Sequence, residues 1–79
     1  MKLAEEVNAQ KVSRIQEAIG LGVRLKIRYL SSGAAISERD VEPKEIIREH
    51  NRAYLVGHCC LRNEERTFRL DGILHLEIL

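Results

Sequence analysis

The hydrophobic spacing of this chain changes period once, at Gly20-Leu21-Gly22. Ahead of that point Leu3, Val7, Val12, Ile15 and Ile19, with Ala18 beside them, recur near the helical period, and the two glycines supply stop signals. A single amphipathic helix is predicted over residues 3–20. Beyond it the pattern alternates. From Arg24 to Leu30, Leu25, Ile27 and Tyr29 fall on one face and Lys26, Arg28 and Leu30 on the other, as in a strand. Ser31-Ser32-Gly33 then makes a turn. Residues 36–48 read as a second extended region. Pro43 interrupts it, and a residue that cannot donate to a ladder demands an edge, a bulge or a bend. His50-Asn51-Arg52 turns into a third strand, Ala53 to Leu61, and Arg62-Asn63-Glu64 into a fourth, 65–70. Asp71-Gly72 breaks the pattern before a short closing strand, His75 to Leu79.

One helix followed by five short strands with tight turns fits a small, strongly bent antiparallel barrel better than a flat sheet. Closure would hide edges that an isolated sheet of this size leaves open. The 79 residues make a single domain, 1–79, with the helix at 3–20 and the barrel at 24–79. That is near the size at which one core barely offsets chain entropy, and it leaves little room for a catalytic cleft with its own supporting shell. No apolar run approaches the roughly 18 residues of a membrane span. The start, MKLAEEVNAQK, has no apolar signal-peptide centre, so a cytoplasmic protein is expected.

Cys59 and Cys60 are adjacent and cannot staple distant segments. They read as reduced thiols, one toward the core and one nearer the surface. His58-Cys59-Cys60 lacks the second ligand pair of a small zinc site, and no metal or cofactor is expected. His58 and Cys59 point to opposite strand faces, and no Gly-rich phosphate loop or paired catalytic carboxylates appear, so the domain is not expected to be an enzyme.

The net charge is only +1, but its placement is uneven. Residues 48–69 hold five arginines against three glutamates, whereas all four lysines lie before residue 45. Arginine alone in this stretch favours planar, directed contacts over a diffuse positive field. Arg66 and Arg69 flank Phe68 on one strand, where two guanidinium forks could clamp a phosphate. Tyr54 and His58 lie four apart on one face of the third strand. They suit stacking on a base, or equally a core tyrosine and a locally satisfied histidine. Arg52 and Arg62, at the two ends of that strand, and Arg28, facing away from Tyr29, could track a phosphate backbone or simply be solvated.

Several segments in order resemble the WYL domain, a bacterial module named for a Trp-Tyr-Leu tripeptide. They are Glu17-Ala18-Ile19, Leu25-x-Ile27-x-Tyr29, Arg39-Asp40-Val41-Glu42-Pro43, Tyr54-Leu55-Val56-Gly57-His58-Cys59 and Arg66-Thr67-Phe68-Arg69-Leu70-Asp71. The name-giving Trp is Ala53, and the Arg that often follows the Leu-Asp pair is Gly72. The resemblance implies a mainly β, Sm-like or SH3-type five-stranded antiparallel barrel with one N-terminal α-helix, attached to a larger protein. It also places Arg39 at a basic family position, with an ion pair to Glu38, Asp40 or Glu42 as the alternative.

For function the resemblance implies an accessory nucleic-acid-binding module, of single-stranded DNA first, serving a helicase or a DNA-associated regulator. The alternatives are a nucleotide- or oligonucleotide-sensing domain of a transcription factor and a ligand-free dimerisation barrel. The candidate contacts are Arg39, Tyr54, His58, Arg66, Arg69, Arg52, Arg62 and Arg28.

Overall fold

The structure is a computed structural model that describes residues 3–60 and 63–79. Arg62, and the Leu61 end of the predicted third strand, lie outside the described residues, as do the side chains of Leu3 and Val7.

Helix α1 spans Leu3–Leu21. It ends because Gly22 takes a left-handed conformation, φ 69°, which costs a residue without Cβ little. The Gly22 N–H donates to the Ile19 carbonyl at 3.2 Å and the Val23 N–H to the Ala18 carbonyl at 3.1 Å, so two of the carbonyls left over by the last turn are satisfied. The inner face of α1 buries Ile15 and Ala18 completely, with Val12 and Ile19 packed beside them.

Five strands follow: β1 (Leu25–Leu30), β2 (Ile36–Glu49), β3 (Arg52–Cys59), β4 (Glu64–Arg69) and β5 (Ile73–Ile78), with a 3₁₀ turn, η1, at Leu70–Gly72. They form one antiparallel sheet in the order β4-β3-β2-β1-β5. Two-residue turning at His50 (φ 51°) and Asn51 (φ 64°) matches the twist of the flanking strands and joins β2 to β3.

The 14-residue β2 serves two neighbours, pairing with β1 through Val41 and with β3 from Val41 onward. Its register shifts between Pro43 and Glu45, which is the bulge that Pro43 requires. Gly57 stands opposite Pro43, and a Cβ there would come within 2.7 Å of the Glu42 carbonyl and 2.6 Å of Val41 Cγ1. The bend is possible because position 57 has no side chain.

The expected barrel closure is not found. β4 and β5 end the sheet and do not pair with each other, so the fold is an open, rolled five-stranded sheet. The residues joining β4 to β5 form η1, closed by the Ile73 N–H on the Leu70 carbonyl. Next to it, the outward N–H of Arg69 is taken at 3.2 Å by the Tyr29 hydroxyl from β1. A side chain seals part of the seam that a ladder would otherwise close.

The core comprises Leu25, Ile27, Val41, Leu55, Cys59, Phe68, Leu70, Ile73 and Leu76 with the inner face of α1, which packs against β2, β5 and η1. Cys59 is buried at the end of β3 and Cys60, in the turn that follows, is half-buried. Lys11 anchors the helix to η1, its Nζ donating to the Leu70 carbonyl at 2.8 Å. Burial lowers the pKa of Lys11 and the nearby Asp71 carboxylate partly restores it.

Candidate nucleic-acid interface

Paired rows of inward-facing residues grade from apolar to polar as they leave α1. Register sets Leu25 opposite Val41, then Ile27 opposite Arg39, then Tyr29 opposite Ser37. Leu25, Val41 and Ile27 are fully buried, and Arg39, Tyr29 and Ser37 are half-buried. On β4 the same face carries Phe68, buried against Leu55, and then Arg66, half-buried opposite Gly57. One end of the concave face is thus filled by core, and the other is a polar mouth.

That mouth is a cleft of about 310 Å³ between the β1–β2 hairpin and β4. Arg39, Arg66 and Arg69 line it with Ser31, Ser32 and Ser37. Its floor is the edge-to-face pair of Tyr29 and Phe68, with ring centroids 5.1 Å apart and planes at 81°. Arg69 starts on the outer face of β4 and curls round the free edge, its Nη2 donating to the Leu30 carbonyl at 3.3 Å. Arg66 and Arg69 therefore reach the same cleft from opposite faces of one strand.

The charges in the cleft are unevenly compensated. Arg66 forms a 3.2 Å ion pair with Glu64. Arg39 has no carboxylate partner among the described residues. Its Nε donates to Ser37 Oγ at 3.3 Å and its Nη1 to Cys59 Sγ at 3.5 Å, so Glu38, Asp40 and Glu42 leave it unpaired. Arg69 likewise meets only a carbonyl. Two half-buried guanidiniums held by neutral acceptors, with hydroxyl donors around them, suit an oxyanion such as phosphate.

The other sequence candidates lie elsewhere. Tyr54 is on the opposite face of β3 from Leu55, beside Arg69 across the β3–β4 pair and so near the rim. His58 Nε2 is 3.1 Å from Asn63 Oδ1, a local pairing outside the cleft. Arg52 is exposed at the β2–β3 turn, and Arg28 is exposed 4.0 Å from Glu38. Ser31, Ser32 and Ser37 carry no sequence signal beyond a turn and reach the cleft only through the fold. Tyr29, on the inner face with Leu25 and Ile27, packs its ring against the core and brings its hydroxyl to the seam.

Two further hollows are less suited to an anion. One, about 390 Å³, is lined by Lys26, Glu38, Asp40 and Cys60, and its two carboxylates oppose a phosphate. The other, about 210 Å³ between α1 and β5, holds Lys11 and Arg14, but Lys11 is already committed to η1.

Comparison with known proteins places this chain in a family. The family model described as "WYL domain" matches residues 10–78. The chain belongs to the WYL domain family. A WYL-bearing stretch of this length also resembles the Protein PafB of Mycobacterium leprae (strain TN), 43% identical over 63 residues, covering 78% of this chain and 19% of that protein. Among solved structures, Proteasome accessory factor B/C (PafBC) of Arthrobacter aurescens superposes with a TM-score of 0.84 at 33% identity, over 90% of this chain and 11% of that one. This WYL domain thus spans less than a fifth of the length of either relative. No described helix is long and apolar enough to cross a membrane.

Proposed function

We propose that this WYL domain is a nucleic-acid-binding module that holds single-stranded DNA through the Arg39–Arg66–Arg69 cleft, on behalf of a longer DNA-associated regulator or helicase. The observation that carries the reading is the convergence of Arg39 and Arg69 in a hydroxyl-lined cleft without carboxylate partners. A single-stranded chain fits better than a duplex, because the cleft is a narrow mouth with an aromatic floor rather than a broad basic face. We read the rolled sheet as a variant of the Sm-like, SH3-type barrel, in which the seam lies beside the site.

A compact nucleotide ligand is the second reading, favoured by the cleft volume of about 310 Å³, which suits one nucleotide. Fluorescence anisotropy with labelled single-stranded and duplex oligonucleotides separates the two. Binding that prefers single strands and is lost in Arg39→Ala and Arg69→Ala supports the module. Thermal stabilisation by a mononucleotide with no oligonucleotide binding at low salt replaces it with the second reading.

A further inference from the structure

Strand β4 ends the sheet, so only one of its edges is paired. In an antiparallel pair, residues alternate between those whose N–H and C=O both face the partner and those whose groups both face away. The Arg69 N–H donates to the Tyr29 hydroxyl, away from β3. Thr67, two residues earlier, therefore also turns its main-chain donor and acceptor away from β3. Thr67 lines the arginine cleft. Beside the guanidiniums, the cleft thus presents one N–H and one C=O side by side.

We infer that the Thr67 main chain binds the hydrogen-bonding edge of a nucleobase while the arginines hold the adjoining phosphate. The inference rests on the cleft being a nucleic-acid site. A splayed base offers a donor and an acceptor on neighbouring atoms, which complements the two groups of one extended residue. An extended peptide also takes free strand edges, but strand addition uses a run of outward-facing residues. Here the next such residue, Arg69, has its N–H satisfied by Tyr29, and the preceding one, Glu65, lies outside the cleft. Within the cleft a single complete donor–acceptor pair remains, which is the size of a base edge. Every base carries such a pair, so the site favours a base over no base without choosing strongly among the four.

The test compares a mixed-sequence single-stranded octamer with an abasic octamer of the same length. Thr67→Pro removes the N–H on the side where an edge strand tolerates proline, and Thr67→Ala keeps the main chain. Wild type and Thr67→Ala are expected to bind the base-bearing octamer about tenfold more tightly than the abasic one, and Thr67→Pro to bind both alike. Amide exchange of wild type gives a readout independent of how well the proline variant folds: Thr67 becomes protected by the base-bearing octamer and not by the abasic one. Bound octamer without Thr67 protection overturns the inference and leaves the arginine cleft standing. Protection by an extended peptide and not by the octamer overturns it in favour of strand addition. Failure of wild type to bind either octamer overturns both readings.

Discussion

At position 72 a missing side chain sets the geometry of the cleft. A Cβ on Gly72 would come within 2.8 Å of the Leu30 carbonyl and 2.8 Å of Tyr29 Cε1. Those two groups hold Arg69, the carbonyl its guanidinium and the tyrosine hydroxyl its N–H. The arginine that the family pattern often has here would have to displace them, so in this chain Arg69 takes the bracing that a bare position 72 permits. Gly72→Ala is expected to destabilise the domain by about 1–3 kcal/mol, because a backbone carbonyl and a packed ring cannot both yield. It should also weaken oligonucleotide binding through Arg69. Tyr29→Phe is the milder change: the ring contact with Phe68 stays and one acceptor is lost, for about 1 kcal/mol. Urea denaturation of both variants, read by circular dichroism, checks the order; equal effects would mean that the hydroxyl, not the space, governs the seam.

Among the elements, the bulged β2 and the docking of α1 decide how the sheet rolls. Gly57→Ala places a methyl group against the Glu42 carbonyl and Val41, and it should cost about 1–3 kcal/mol by opening the bend, measurable in the same urea titration. The docking of α1 has a pH signature. The folded protein holds the Lys11 proton less tightly than the unfolded chain, because burial outweighs the nearby Asp71. The unfolded state then binds more protons as pH rises from the folded value toward the ordinary 10.5, so stability due to this group increases with pH over that window. Stability of wild type relative to Lys11→Met should improve between neutral pH and about pH 10; a flat difference would remove burial as the cause. Much of this layer was legible in the sequence. Of the two glycine stop signals, the helix runs through Gly20 and ends at Gly22; the Leu25-Ile27-Tyr29 alternation marked the inner face of β1, and Pro43 marked the bulge. Barrel closure was misjudged because local pattern carries no information on where β4 meets β1, a contact 40 residues apart made by a tyrosine hydroxyl. The candidate site was half legible for the same reason. Arg39, Arg66 and Arg69 stand out by charge, whereas Ser31, Ser32 and Ser37 gain meaning only when the hairpin folds toward β4.

For the whole molecule, a net charge of +1 gives the proposed nucleic-acid binding little long-range field to draw on. On the proposed reading, attraction comes from a few contacts within a Debye length, about 10 Å at 0.1 M salt. Three arginines each neutralising one phosphate of a single strand would make log K fall with log salt at a slope of about −2, so that affinity drops about twentyfold between 50 and 200 mM. Arg39→Ala and Arg69→Ala should each flatten that slope by about 0.7. Arg66→Ala should flatten it less, since Glu64 already compensates Arg66 in the free protein and must be displaced when phosphate binds. Anisotropy titrations across the salt series give all four slopes. Equal flattening by the three variants would mean that the Arg66–Glu64 pair is too exposed to matter. A wild-type slope near zero would mean that phosphate is not what the cleft holds.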